Sequence, residues 1–357
     1  MKILNLKIAF VCLLIIASCT KDTETGTGIK FENGTFKEAL EKAKAEDKVV
    51  MIDFMTDWCK WCVELDKKVY TDSMVVYFAN NYQVNIKIDA EKGEGIELAK
   101  KYKVTGYPTI VITKSDGTEI DRIVGYIPAN NFFKRIKEIR SNVNTLSSSL
   151  EKIAGEPNDV EANVLLGEKM FDRGDSAGAV KYLLNAIKND SANAKGFLGD
   201  AKILLAKVNN DVEGLKKAID KYPDTKKVKD AYLAIASYYQ DKDKFDSAKI
   251  YYTFAFDKYG RKDEEIMTEY VSFLVLQMSK LTTQEKNTGQ DWIKAITISD
   301  ECLPLAKGTV NEASAYYYLS NAYFKMGDKK AAGEMIDKAI SINPTKKFKE
   351  FKESLKK

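Results

Sequence analysis

Apolar and polar positions change rhythm twice along the chain. Ile8 to Ala17 is an almost unbroken apolar run behind Lys2 and Lys7, too short to span a bilayer as a helix. Lys21 to Gly28 is rich in Thr and Gly and poor in apolar residues, the composition of a flexible tether. From residue 29 to residue 140, helical and strand periodicities alternate. Thr35-Phe36-Lys37-Glu38 is a capping-box start, followed by one apolar stripe through Phe36, Ala39, Leu40 and Ala43. Val49 to Met55 reads as a buried strand, 59–69 and 73–80 as helices, Val84 to Ile88 as an alternating strand, and 96–102 as a helix. Pro108 to Thr113, a Ser115-Asp116-Gly117 turn and Glu119 to Val124 predict a hairpin, with a closing helix over 130–140. This half is α/β, a central mixed sheet flanked by helices. Residues 141–158 read as a linker that turns helical near Leu150. From residue 159 to residue 357 only amphipathic helices are expected.

That all-α half carries an internal repeat. Leu166-Gly167, Leu198-Gly199, Ile235-Ala236 and Leu319-Ser320 each precede an Ala by a constant 19 residues, at Ala186, Ala218, Ala255 and Ala339. Twelve residues after each small residue stand Ala179, Asp211, Ala248 and Ala332, and helix-ending positions fall at Ser191, Pro223, Gly260 and Pro344. The pattern resembles the tetratricopeptide repeat, in which small residues let paired helices approach. Residues 313–346 form its cleanest copy. Lys202 and Asp211 depart from it, which puts the second helix of the second copy in doubt. The stretch 263–308 has room for one enlarged, degenerate copy. The resemblance implies a solenoid with a surface for a protein or peptide.

Composition removes whole classes of chemistry. The 357 residues contain no His, which excludes Ser–His and Cys–His catalysis and His-ligated zinc. With 56 basic and 52 acidic side chains, the net charge of +4 is too balanced for a nucleic-acid partner. Ile16-Ala17-Ser18-Cys19 resembles a bacterial lipobox. That resemblance implies a signal peptide over 1–18, lipidation of Cys19, a tether over 19–28, and residence in the cell envelope, facing periplasm or exterior. Thr20 after the Cys favours the outer membrane.

The chemistry concentrates at Asp53-Phe54-Met55-Thr56-Asp57-Trp58-Cys59-Lys60-Trp61-Cys62. A buried strand runs into Cys-x-x-Cys at the start of a helix. Two Cys three apart at a helix N-terminus share a face and can bridge. The free N–H groups and helix dipole stabilise a thiolate at the first position, so Cys59 is the exposed attacking sulfur and Cys62 resolves the mixed disulfide. Three plainer readings stand beside this: a structural disulfide, half of a zinc site, and a degenerate binding module. A bridge closing so short a loop stabilises little, and no second Cys pair completes a metal site.

This segment, with Val104-Thr105-Gly106-Tyr107-Pro108-Thr109, resembles the thioredoxin family over residues 29–140. The resemblance implies a thioredoxin fold and a redox-active Cys59–Cys62 disulfide in place of any cofactor. It also implies a cis Pro108 beside the pair, Tyr107 presenting backbone to a substrate peptide, and Asp53 as general base for Cys62. Trp58 matches the aromatic residue before the first Cys. Lys60-Trp61 departs from the Gly-Pro of reducing thioredoxins. Lys60 would favour a thiolate, while Trp61 would shield the pair or form part of a substrate surface. Asp-Trp-Cys-x-x-Cys resembles envelope-facing reductases, including the C-terminal domain of transmembrane thiol–disulfide interchange proteins. Protein disulfides are then the expected substrates, and an unidentified membrane electron donor is implied. The competing expectation is a non-enzymatic interaction or chaperone scaffold that works through the repeats.

Overall fold

A computed structural model describes residues 28–260 and 263–356. The lipobox with Cys19 and most of the tether lie outside the described residues. Among those described, no helix is long and apolar enough to cross a membrane.

In the first half, α1 (Phe36–Ala45) precedes β1 (Val49–Met55), and α2 (Lys60–Glu64) continues into a π-helical turn, Leu65–Val69. Then come α3 (Ser73–Tyr82), β2 (Gln83–Asp89), α4 (Gly95–Lys101), β3 (Thr109–Thr113), β4 (Glu119–Val124) and α5 (Ala129–Arg140). Thr35 caps α1 through the expected reciprocal bonds with Glu38. The sheet order is β2-β1-β3-β4, with β1 parallel to β2 and antiparallel to β3. Both faces of the sheet are covered. Met51, Ile110 and Ile112 pack with Leu65, Tyr70, Phe132 and Ile136 on one side. Val50, Ile52, Phe54 and Val111 pack with Phe36, Ala39 and Tyr102 on the other. This is the mixed sheet flanked by helices that the residue pattern implies.

The helix expected over 59–69 is not one regular helix. Tyr70 N–H donates to Leu65 C=O at 2.9 Å, one residue wider than the α-helical bond, and this opens the π-turn. The linker is helical earlier than expected: α6 (Leu146–Gly155) begins where Thr145 and Ser148 form a capping box. α6 packs on β4, one of the two end strands of the sheet.

Helical pairs fill the rest: α7 (Val160–Phe171) with α8 (Ser176–Asn189), α9 (Leu198–Val208) with α10 (Val212–Lys221), and α11 (Val228–Asp241) with α12 (Phe245–Ala255). The long α13 (Glu264–Thr283) and α14 (Gly289–Ala306) occupy the enlarged interval, followed by α15 (Glu312–Lys325), α16 (Lys329–Ile342) and α17 (Lys346–Ser354). Gly167 shows why the small positions matter, since a Cβ there would stand 2.5 Å from Leu183 Cγ of α8. The doubt over the second copy resolves in favour of a helix. Asp211 does not replace a packing Ala; it caps α10, accepting from Gly214 N–H at 2.9 Å. Cys302 is a free thiol buried in the α13–α15 core.

The two halves meet in a buried ionic cluster. On β4, Asp121 pairs with Arg135 of α5 and with two groups of the helical half, Lys169 Nζ at 2.7 Å and Arg173 at 3.1 Å. Arg173 also reaches Glu119, and Glu119 pairs with Arg122 at 2.8 Å. Burial would raise the Asp121 pKa, yet Lys169, Arg135 and Arg173 together hold it below its usual value.

Candidate functional site

β1 delivers the chain to the site. Its alternation turns Asp53 to the face that carries Leu65 and Tyr70, beneath the following helix. The Asp57–Trp58 turn is braced against the loop after β2: Lys92 Nζ pairs with Asp57 at 2.5 Å and Asp89 at 2.7 Å, and Trp58 Nε1 donates to Glu91 at 3.1 Å. Cys59 then caps α2, and its sulfur accepts the Cys62 N–H at 3.0 Å.

Cys59 and Cys62 are joined as a disulfide. Cys59 is not the exposed sulfur that the residue pattern suggests. It is 5% exposed, because its sulfur turns inward to Cys62 and to the backbone of the first helical turn. The open aromatic group of the motif is Trp58, 68% exposed and edge-on to Tyr107 at 5.8 Å. The Tyr107–Pro108 peptide bond is cis, with Pro108 buried and Tyr107 half-buried.

Asp53 is fully buried, and burial drives its pKa from 3.8 to about 6. Lys87 Nζ stands 3.5 Å away and opposes that shift, but also pairs with Asp66. The Tyr70 hydroxyl faces the same carboxylate, and its own pKa is pushed up by burial and by the Asp53 charge. Lys60 reaches across to the helical half. Its ammonium lies 3.5 Å from Asn311 Oδ1 of the helical half, and burial there lowers its pKa. Lys68, one π-turn on, donates to Gly308 C=O at 2.9 Å. Trp61 packs on Tyr126 at 5.4 Å.

Several neighbours were beyond the motif. Lys87 had a usable signal: it is the one cation of the alternating strand β2, and β1–β2 register sets it opposite Asp53. Tyr70, Tyr126 and Asn311 had none, since turns or the domain contact bring them in. The arrangement suits dithiol–disulfide exchange: a capped sulfur in first place, a second sulfur one turn inside, and an ionisable acid buried behind them.

Comparison with known proteins supports that chemistry. Residues 36–140 match the thioredoxin-like domain family, and residues 313–346 match the tetratricopeptide repeat. Over 98 residues, 27% of this chain, the sequence is 35% identical to the thiol:disulfide interchange protein DsbD of Yersinia pestis (strain Pestoides F). The match spans 16% of that protein's length. A Bacteroides thetaiotaomicron protein described as a candidate disulphide-isomerase is 43% identical, over 32% of this chain and 93% of its own, with a TM-score of 0.30. The tetratricopeptide-repeat protein YrrB aligns with 56% of this chain and 94% of its own, at 16% identity and a TM-score of 0.35.

Proposed function

We propose that this chain, a thiol–disulfide oxidoreductase with a thioredoxin-like domain at 36–140 and a tetratricopeptide repeat at 313–346, is a membrane-tethered reductase of protein disulfides. The observation that carries the proposal is the Cys59–Cys62 disulfide at a helix cap with buried Asp53 behind it. In the reduced protein, the Cys59 thiolate attacks one sulfur of a substrate disulfide and expels the other as a thiolate. Asp53 takes the proton of Cys62, whose sulfur then displaces the substrate from Cys59 and re-forms the pair. Two electrons have passed to the substrate. A carboxylic acid that titrates near pH 6 is ionised at neutral pH yet basic enough for this transfer.

Recharging the pair needs a dithiol donor, and in the envelope that donor is a membrane protein that passes electrons across the bilayer. Lipidation at Cys19 and the 19–28 tether keep the chain near it, and the repeats recruit the protein that carries the disulfide.

The reduction potential of the pair, measured on the chain from Gly28 onward in glutathione and dithiothreitol buffers, is the test. Trp58 precedes the pair and Trp61 lies within it, and both report its state by fluorescence. A potential near about −250 mV or lower supports the reductase, and one near about −120 mV makes the protein an oxidant instead. A pair that never exchanges leaves only the scaffold reading.

A further inference from the structure

Two cavities meet at one pair of carboxylates. The first, about 370 Å³, has Trp61, Tyr107, Tyr126 and Pro128 on one side and Glu265 and Glu269 of α13 on the other. It therefore abuts Trp61, one of the two residues between the cysteines, and Tyr107, the residue before the cis proline. The second, about 590 Å³, runs along α11 with Phe171, Leu233, Tyr238 and Tyr252 in its walls, and it ends on the same Glu265 and Glu269. The two adjoin at this shared wall, which sets a slot from the repeat half toward Trp61.

Its charge is one-sided. Among the described residues, no Lys or Arg lines the first cavity. Glu265 is held by Lys229 at 3.1 Å, whereas Glu269 has no cation partner among the described residues. Enclosure and the neighbouring Glu265 raise the Glu269 pKa, so a cation arriving there would relieve both effects. Along the second cavity, Asp230 and Asp241 join these two carboxylates against Lys207 and Lys242.

On the reductase reading above, we propose that this slot holds one extended segment of the substrate itself, with a lysine or arginine of that segment against Glu269. The repeats then grip the same polypeptide whose disulfide Cys59 attacks. A separate protein seated along α11 would cover Glu269 and close the mouth of the first cavity. A cavity of that volume is roughly 9 Å across, which fits two to three extended residues at about 3.3 Å each. The basic residue therefore lies two or three positions from the substrate cysteine. Aromatic walls at Phe171, Tyr238 and Tyr252 take the side chains beyond it.

The test is single-turnover reduction of peptides by the pre-reduced chain from Gly28 onward. Each peptide has one cysteine disulfide-bonded to 2-nitro-5-thiobenzoate. Cys59 attacks the peptide sulfur and expels the coloured thiolate, and Cys62 then releases the peptide thiol as the pair re-forms its disulfide. Three peptides differ only in Lys, Gln or Glu two positions from the cysteine. The expected order is Lys, then Gln, then Glu, with Lys over Gln by about tenfold at low salt, or 1.4 kcal/mol. That preference shrinks at about 0.5 M salt. Glu269→Gln abolishes the preference, and Glu269→Lys reverses it. A Lys peptide about eight residues longer on the side of the groove gains about a further fivefold through its extra contacts.

Equal rates for the three peptides in the wild-type protein overturn the inference and leave the exchange chemistry standing. A gain absent on lengthening overturns the continuous slot. Failure to release the thiolate from any peptide removes the exchange reading itself. Because the Lys-to-Gln ratio and its salt dependence are read in the wild-type chain, the outcome does not depend on either variant folding.

Discussion

Asp53→Asn separates the two things this carboxylate does, one to the stability of the protein and one to its chemistry. Asp53 is fully buried and its pKa rises from 3.8 to about 6, with burial the main cause and Lys87 only a partial offset. A raised acid pKa means that the folded protein holds this proton more tightly than the unfolded chain does. The stability it contributes is complete below pH 3.8 and is lost as pH rises through 6. At 1.36 kcal/mol per unit, ionised Asp53 costs about 3 kcal/mol at pH 8, about half that at pH 5, and about half a kcal/mol at pH 4. Asn is nearly the same shape and cannot ionise. Lys87 keeps Asp66 as a partner, so the substitution leaves no cation stranded. The oxidised Asp53→Asn protein should therefore be more stable than wild type by most of 3 kcal/mol at pH 8 and nearly equal to it at pH 4. Denaturant unfolding of the chain from Gly28, followed at Trp58 and Trp61, measures this across the pH range. The same variant should release reduced substrate about 10²-fold more slowly, with the first attack by Cys59 unchanged. A stability gain independent of pH, or a loss at pH 8, would refute the account of Asp53 as a buried acid held at an energetic cost.

Two further outcomes follow from groups outside the site. Arg173 is 7% exposed and bridges Glu119 and Asp121 between the halves, so Arg173→Ala should cost about 3 kcal/mol and let the halves separate. Small-angle scattering would show the larger radius of gyration, and an unchanged radius with unchanged stability would contradict the role given to the cluster. Cys302 is fully buried, with its thiol pushed up to about 12 by burial and then by Glu301. Iodoacetamide should leave it unlabelled in the folded protein and label it on unfolding; labelling of the native protein at neutral pH would contradict that burial.

Much of the first half was legible because its cues are local. A buried apolar run marks β1 and a hairpin turn marks β4 at the boundaries observed, and a spacing of three at a helix start allows the Cys59–Cys62 bond. The repeat was legible for the same reason: Gly167 lies against Leu183 because two adjacent helices must approach closely. Other features were silent because they depend on contacts across long stretches of chain. A π-turn has no sequence mark of its own, so Leu65–Val69 read as ordinary helix. Asp211 looked like a failed packing position, although it caps α10 because α9 ends at Val208, further beyond its small residue Gly199 than the first helices of the other copies do. Asp121 looked like one polar residue of a hairpin strand, yet it is buried against Lys169 and Arg173 where the two halves meet. With that docking unseen, nothing marked Glu269 as a neighbour of the cysteines.

The packing of α6 on β4 bears on where this protein can be divided. β4 is the last strand of the sheet, and its outer edge has no strand partner. The family match to the first half ends at residue 140, ahead of Leu146, where the helix that covers this edge begins. A chain cut there would offer a bare ladder of amide and carbonyl groups to any neighbouring copy, the usual opening for edge-to-edge aggregation. The unit able to remain single in solution therefore runs at least to Gly155, so part of the catalytic half's solubility resides in a segment that its own family signature leaves out.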